Sequence, residues 1–279
     1  MANTRVLEAA TFKIEGSDYT ADLGKPCSLA ITLDFNDVQP RWFGAPAARS
    51  TPLSEGDFSG RVYSGASCNC STMSFTPHLD GTHTECAGHL TLEPIDARTV
   101  VPVGFLTALL LSVTPMPAHS TEESSDPAPH GDDLLITAAG LARAWPAKPP
   151  FAPQSLIVRT LPNTPSKRSR DYRSEPSAYL SIQAAALLVA RGIEHLVLDV
   201  PSADRAEDGG RLSAHREFFG LPPGVVSLSA VRRPQCTITE LAYIEQGVND
   251  GAYLLELQIP ALGGDAVPSR PLLFPVHPA

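Results

Sequence analysis

The chain has 279 residues, is 43% hydrophobic and carries 21 basic against 30 acidic side chains, a formal charge of -9 at neutral pH. A chain of this length can bury one large core, so we expect a single domain over residues 1–279 with its core at about 28–260. The negative charge would repel a phosphate backbone, which argues against nucleic acid as a partner.

Strand-like and helix-like segments alternate along the chain and predict an α/β fold with a parallel or mixed sheet covered by helices. In chain order, they are a strand over 28–35, a helix over 134–145, a strand over 155–160, a helix over 181–191, and strands over 193–200 and 251–260. The second helix starts at a Ser suited to the N-cap and ends before a Gly. With its two flanking strands it predicts a βαβ crossover.

Proline clusters predict loops over 113–130, 145–165 and 259–278. The first of these mixes Pro, Ser and acidic residues with almost no apolar side chains, so it cannot bury enough surface to order itself alone. We expect residues 113–130 to form an exposed, mobile loop and regard it as a candidate active-site flap. Its His119 and His130 are expected to be solvated.

Targeting and redox features favour the cytoplasm. The N-terminal segment lacks the apolar run of a signal peptide, and no stretch approaches the ~18 apolar residues of a membrane-spanning helix. The five cysteines are odd in number, and Cys68 and Cys70 are too close in sequence for a CxxC pair. We therefore expect reduced thiols, a cytoplasmic location and no membrane contact.

Residues 78–89, HLDGTHTECAGH, place three histidines and two carboxylates within twelve residues. His83 and Glu85 stand two apart, so on an extended strand both side chains leave the same face and can converge on one cation. Imidazole and carboxylate ligands suit zinc or manganese, with zinc the commoner choice in a hydrolase. The alternative is a polar surface turn whose histidines make only local hydrogen bonds.

Residues 81–89, GTHTECAGH, resemble the signature H-x-G-T-H-x-D-x-P-x-H of the cyclase family, metal-dependent hydrolases that include bacterial kynurenine formamidase. The resemblance implies the swivelling β/β/α fold of that family. It also implies that His83 and Glu85 are metal ligands, with one or two ions bound, and that His89 is the catalytic group for proton transfer.

Two further segments extend the resemblance to about residues 28–245. Residues 192–204, GIEHLVLDVPSAD, are similar to a family strand that precedes the His completing the metal site, which implies His215 and a later Glu240 as ligands. Residues 31–44 are similar to the opening strand and substrate loop, where Trp42 and Phe43 either line a substrate pocket or anchor the loop.

The motif departs from the family pattern at three positions. Leu79 occupies the place of the first family His. His78, one residue earlier, is the remaining candidate for that metal ligand, although on a strand it would point to the other face unless a bulge turns it inward. Glu85 replaces the bridging Asp, and Ala87 replaces the Pro. The neighbouring Cys86 is expected to fill the core, with a role as nucleophile left as an alternative.

The resemblance implies a hydrolase acting on a C–N bond other than a peptide, an aryl formamide or a cyclic amide, with metal-activated water as the nucleophile. It also implies a small-molecule substrate and a homodimer or homotetramer. Two alternatives stay open: a metal-poor relative that binds a small molecule without turnover, suggested by Leu79, and a lactone hydrolase or a thiol-dependent hydrolase using Cys86.

Overall fold

The computed structural model describes residues 7–279. Strands form most of the regular structure within this range. They are β1 (Ala9–Ile14), β2 (Ser17–Asp22), β3 (Cys27–Ser28), β4 (Arg49–Pro52), β5 (Ser54–Glu55), β6 (Phe58–Ser59), β7 (Ser71–Ser74), β8 (His83–Cys86), β9 (Phe105–Val113), β10 (Met116–Pro117), β11 (Leu134–Ile136), β12 (Ser155–Thr160), β13 (Tyr179–Leu180), β14 (His195–Leu198), β15 (Thr237–Glu240), β16 (Gly251–Gln258), β17 (Ala266–Pro268) and β18 (Arg270–Pro278).

Helices are short and follow the sheet strands. The α-helices are α1 (Ala97–Val100), α2 (Ala138–Ala144), α3 (Ile182–Ala190) and α4 (Ser213–Phe219). Single 3₁₀ turns occur at Val62–Ser64, Ala87–Leu90, Ala118–Ser120, Pro165–Arg168 and Leu228–Ala230. Within the described part of the chain, no helix has the length and apolar character needed to cross a membrane.

One large mixed sheet organises the molecule, with strand order β1-β2-β18-β16-β9-β12-β14-β15-β8-β17 and β3 beside β18. Strands β9, β12, β14 and β15 are parallel, whereas β16 and β8 run antiparallel to the two ends of this block. Three smaller sheets join β10, β11 and β13, then β4 and β7, then β5 and β6. The mixed sheet with its covering helices confirms the predicted α/β class.

Alternate residues of the central strands point into two separate cores. On strand β12, Leu156 and Val158 join the larger core against the helices, whereas Ile157 joins the core on the opposite face. Aromatic side chains of α4, Phe218 and Phe219, fill the helix side. Burial on both faces explains why the central strands read as continuous apolar runs in the sequence.

The predicted βαβ crossover is confirmed, because β12 and β14 are parallel neighbours with α3 between them in sequence. The Ser181 hydroxyl accepts a hydrogen bond from the amide of Ala184 and caps α3, as expected. Gly192 follows the helix with a positive φ of 74°. The predicted helix over 134–145 is divided, since its first residues form β11 and only α2 is helical.

The predicted strand over 28–35 is wrong beyond its first residue. The amide of Leu29 still donates to the carbonyl of Pro271 in β18, but the amide of Ile31 donates to the Thr82 hydroxyl and not to a strand. The second contact attaches the segment to the residues just before β8.

The predicted loop over 259–278 contains two strands, β17 and β18. In a strand, the N–H and the C=O of one residue point to the same side. The Pro271 carbonyl accepts from Leu29, so the N–H that proline lacks would also point towards Leu29 and away from β16. The hydrogen bonds between β18 and β16 are therefore kept. Composition alone overstated the effect of proline here.

The proline-rich segment 113–130 is mostly irregular, as predicted, but it is tied to the helices by a carboxylate. Glu123 accepts hydrogen bonds from the amides of Ala138 and Ala139 at the start of α2 and from the Ser181 hydroxyl at the start of α3. Both His119 and His130 are exposed, as expected.

Candidate metal centre

Strand β8 brings the central residues of the motif together. It lies between β15 and β17, and its register sets His83 opposite Glu240 of β15. His83 and Glu85 leave the same face of β8, as their spacing predicts. Ligand atoms of His83, Glu85 and Glu240 all lie within 4.8 Å of one another, and all three residues are buried.

Helix α4 contributes His215 to the same point. Its Nε2 lies 2.8 Å from Glu85 Oε1 and 3.4 Å from Glu240 Oε1. Its other ring nitrogen, Nδ1, is 2.7 Å from Asp204 Oδ2. Because Asp204 binds the Nδ1 side, Nε2 is left as the nitrogen that faces the two glutamates. We call His83, Glu85, His215 and Glu240 the inner cluster.

Three buried atoms of the inner cluster make no hydrogen bond of acceptable geometry: Nε2 of His83, Oε1 of Glu85 and Nε2 of His215, although the last two lie only 2.8 Å apart. An unpaired polar atom removed from water costs about 1–3 kcal/mol, so three of them facing one point need a common partner. Two imidazole nitrogens and two carboxylates are a donor set for a divalent cation such as zinc or manganese. The residues therefore fit the implied metal.

Electrostatics at the inner cluster favour positive charge. Burial lowers the pKa of His215, but the charge of Glu85 and the interactions with Asp204 and Glu240 outweigh it and hold that pKa well above its ordinary value. Burial would raise the pKa of Glu240, yet the two histidines hold it well below its usual range. Buried carboxylates are paired with cations or coordinate metals, and without a metal the imidazoles must carry this charge.

A second group of side chains lies at the more exposed edge of the inner cluster. His78 Nε2 is 2.8 Å from Asp265 Oδ2, and His89 Nδ1 is 3.5 Å from the same oxygen. Glu85 Oε2 lies 3.7 Å from His78 Nε2 and 4.0 Å from His89 Nδ1. We call His78, His89 and Asp265 the outer cluster; Glu85 connects it to the inner one.

The outer cluster also perturbs its own titrating groups. Burial lowers the pKa of His89, but the charge of Glu85 and the contact with Asp265 raise it above the ordinary value. The interactions with His78 and His89 hold the pKa of Asp265 well below its usual range. At about a quarter exposed, His78 and His89 are the histidines of the centre that a solute can reach.

His78 reaches the site through a turn over residues 77–79, to which strand alternation does not apply. The turn directs His78 towards Asp265 and Glu85, whereas Leu79 packs against the small core that contains Trp42 and Leu241. No bulge in β8 is involved.

Cys86 lies on the opposite face of β8 and fills the core, as expected. Its side chain is fully buried with Ala97 and Val267, and its thiol donates to the carbonyl of Ile95. Burial raises the pKa of this thiol to about 11, so it stays protonated at neutral pH. This geometry speaks against a nucleophilic Cys86.

Trp42 and Phe43 both line a cavity of about 400 Å³, together with Tyr172 and Arg205. Trp42 itself is buried and contacts Phe43 and Tyr172 edge to face. Asp204 forms part of the same wall. The two aromatic residues therefore anchor the loop and also line a cavity next to the carboxylate that binds His215.

Other polar residues of the sequence motifs have structural partners. His195 is a buried sheet residue with Nδ1 2.9 Å from the Thr237 hydroxyl. Asp199 binds the Lys167 ammonium at 2.6 Å and does not reach an imidazole. Asp204 binds His215, whereas the Ser202 hydroxyl accepts a hydrogen bond from the Asp204 amide.

Sequence reasoning missed Asp265. It lies in the segment 259–278, which composition marks as a loop, and nearly 180 residues separate it from the motif. The available signal was that it is the only carboxylate in that segment, directly after two glycines. Pairing of β17 with β8 carries it to the site.

The family model named Cyclase, described as "Putative cyclase", matches residues 27–205. The chain belongs to the Cyclase family. This match confirms the resemblance drawn from the motifs at 81–89 and 192–204. No curated protein matches the chain.

Solved structures share the fold of this Cyclase family member at low sequence identity. A predicted metal-dependent hydrolase from Bacillus stearothermophilus is 19% identical with a TM-score of 0.54, covering 90% of this chain and 98% of its own. A potential metal-dependent hydrolase with cyclase activity is 17% identical with a TM-score of 0.58, covering 90% and 97%. Isatin hydrolase A from Labrenzia aggregata, bound to benzyl benzoate, is 14% identical with a TM-score of 0.56, covering 90% and 93%. These likenesses confirm the cyclase-like fold.

Proposed function

We propose that the chain is a metal-dependent hydrolase acting on a C–N bond other than a peptide, in an aryl formamide or a cyclic amide. The observation that carries this proposal is the convergence of buried imidazole and carboxylate atoms of His83, Glu85 and His215, none of which makes a hydrogen bond of acceptable geometry. The similar fold of isatin hydrolase A, whose substrate is a cyclic amide, supports the substrate class.

The inner cluster would hold one divalent cation, zinc first and manganese as the alternative. Its two glutamates supply two negative charges, which one such ion balances. When bound, a cation of this kind lowers the pKa of a water molecule and polarises a carbonyl group. The four protein ligands come from three elements, β8, α4 and β15, so the fold itself sets their geometry.

Proton transfer to the leaving nitrogen falls to His89. Its Nδ1 faces Glu85 and Asp265, which leaves Nε2 as the nitrogen available to a substrate. It lies beside the inner cluster, with its ring centroid 5.7 Å from that of His215, and it is part-exposed. A raised pKa brings a histidine closer to working as an acid near neutral pH.

The test measures bound metal by plasma emission spectrometry in protein purified without chelator. We expect one equivalent in the wild type and its loss in His83→Ala and Glu85→Ala. His119→Ala, which removes an exposed histidine, is the matched control and should keep the ion. An aryl formamide, isatin and a lactone are then offered as substrates. Full activity in metal-free wild-type protein would overturn the proposal.

A cytoplasmic location and self-association complete the proposal. All five cysteines are free, which suits a reducing compartment. A homodimer or homotetramer is proposed from the family resemblance, with a small molecule as the only other partner. Light scattering on a sizing column tests it, and a monomer at micromolar concentration would contradict it.

A further inference from the structure

We propose that Asp265 is a positioning residue that holds His89 and His78 in place for proton transfer. This inference rests on the proposed function. Among residues 7–279, Glu85 and Asp265 are the two carboxylates that lie within 4.0 Å of both imidazoles of the outer cluster. Asp265 is the closer of the two, at 2.8 Å from His78 and 3.5 Å from His89. Glu85 Oε1 faces His215 of the inner cluster, so only its other oxygen looks outward.

The backbone around Asp265 is fixed by contacts on both sides. Its carbonyl accepts a hydrogen bond from the amide of Cys86, next to Glu85 on β8. The preceding Gly264 donates its amide to the Asp96 carboxylate and accepts from the amide of Ala97. A side chain held by such a backbone loses little further freedom when it binds an imidazole.

Gly88 allows the close approach of this turn to the 3₁₀ turn that carries His89. A Cβ at Gly88 would lie 3.0 Å from the Asp265 Cβ and less than 3 Å from two atoms of Ile95. A residue with a side chain at this position would displace Ile95 and crowd the Asp265 side chain. A glycine at position 88 is therefore needed for Asp265 to lie this close to the turn that carries His89.

His78 is closer to Asp265 than to the inner cluster. Its Nε2 is 2.8 Å from Asp265 but 3.7 Å from Glu85, and Nε2 can donate only one proton. The His78 ring also lies against the His89 ring, with centroids 4.5 Å apart and planes tilted by 31°. We infer that His78 supports His89 from the side and does not complete the inner cluster.

The consequence is a defined orientation for His89. With the Asp265 carboxylate on the Nδ1 side and the His78 ring against its face, the imidazole can rotate little, and Nε2 points away from both carboxylates. Orienting partners of this kind change activity by roughly 10- to 100-fold when removed. The effect should fall on turnover, because Asp265 does not contact the inner cluster.

The experiment compares Asp265→Ala and Asp265→Asn with the wild type, all loaded with zinc. We expect Asp265→Ala to lower kcat by about 10- to 100-fold with KM within about twofold and the zinc content unchanged. Asp265→Asn should lose less, because its amide oxygen still accepts from His78. Glu93→Gln is the matched control, since that carboxylate binds the Leu228 amide and touches neither imidazole.

A second measurement does not depend on the substrate. Ring ¹⁵N shifts of His78 and His89 in the zinc-loaded protein report which nitrogen carries the proton. We expect one tautomer for each ring in the wild type and a mixture in Asp265→Ala. If the wild type hydrolyses no test substrate but the ring signals change in this way, the proposed function fails and the positioning role stands. Unchanged ring signals in Asp265→Ala would overturn the positioning role. Loss of zinc from Asp265→Ala would also overturn it, because Asp265 would then be a metal ligand.

Discussion

The hydrogen bonds of Asp204 predict that this carboxylate orients His215 in the inner cluster. Its Oδ1 accepts from the Ser213 hydroxyl at 3.2 Å and the Ala214 amide at 2.8 Å. Its Oδ2 accepts from the amide of His215 at 3.1 Å and from His215 Nδ1 at 2.7 Å. Both oxygens therefore face N–H donors, and only a carboxylate satisfies all of them.

Asp204→Asn places an NH₂ group against one of these donors, whichever way the amide is turned. If NH₂ faces His215, Nδ1 must become an acceptor, the proton moves to Nε2, and the nitrogen facing Glu85 can no longer bind a cation. If NH₂ faces Ala214, the start of α4 loses a hydrogen bond and His215 shifts with it. We expect metal affinity to fall by roughly 10- to 100-fold, about 1.4 to 2.7 kcal/mol.

Isothermal titration of zinc into the metal-free protein measures this change. Asp208→Asn is the matched control, because Asp208 is also buried in the same loop and binds the amides of Gly210 and Leu212 but no imidazole. An affinity equal to that of the wild type in Asp204→Asn, or an equal loss in both variants, would refute the assigned role of Asp204.

Three further results are expected. Because the carboxylates raise the pKa values of His83 and His215, zinc binding at neutral pH should release protons, which calorimetry in buffers of different ionisation enthalpy detects; no release would contradict it. Burial lowers the pKa of His195 to about 4, below its value of about 6.5 in the unfolded chain. The unfolded state therefore takes up a proton first as the pH falls. The free energy of unfolding should be constant above pH 6.5 and should fall by about 3 kcal/mol between pH 6.5 and pH 4. Denaturant unfolding of His195→Gln should lack this dependence, unlike His277→Gln at an exposed position. Cys86→Ser should keep its hydrolytic activity per folded molecule, and abolished turnover would revive the thiol mechanism.

The local part of the fold and site could be predicted from sequence. Helix α3 follows from a capping Ser181, an apolar body and a terminal Gly192, because these signals act over a few residues. The convergence of His83 and Glu85 follows from strand alternation alone. In each case the deciding interaction lies between residues close in the chain.

The remaining parts depend on contacts between distant segments. Strand register sets His83 opposite Glu240, and no local pattern encodes a pairing across more than 150 residues. The direction of the His78 side chain could not be read from strand alternation, because residue 78 lies in a turn. Asp265 was missed because its prolines mark the segment 259–278 as a loop. The segment forms strands only through pairing with distant partners, and the pairing of β17 with β8 brings Asp265 to the site.

Glu85 faces both clusters through its two carboxylate oxygens. Its Oε1 lies 2.8 Å from His215 on the inner side, whereas its Oε2 lies within 4.0 Å of both His78 and His89 on the outer side. One side chain therefore acts on the proposed metal ligands and on the proposed proton-transfer group together. A cation bound to Glu85 would withdraw negative charge from Oε2, so His89 would lose part of the attraction that raises its pKa and would release its proton more readily. Glu85 would thus couple metal binding to the acidity of His89.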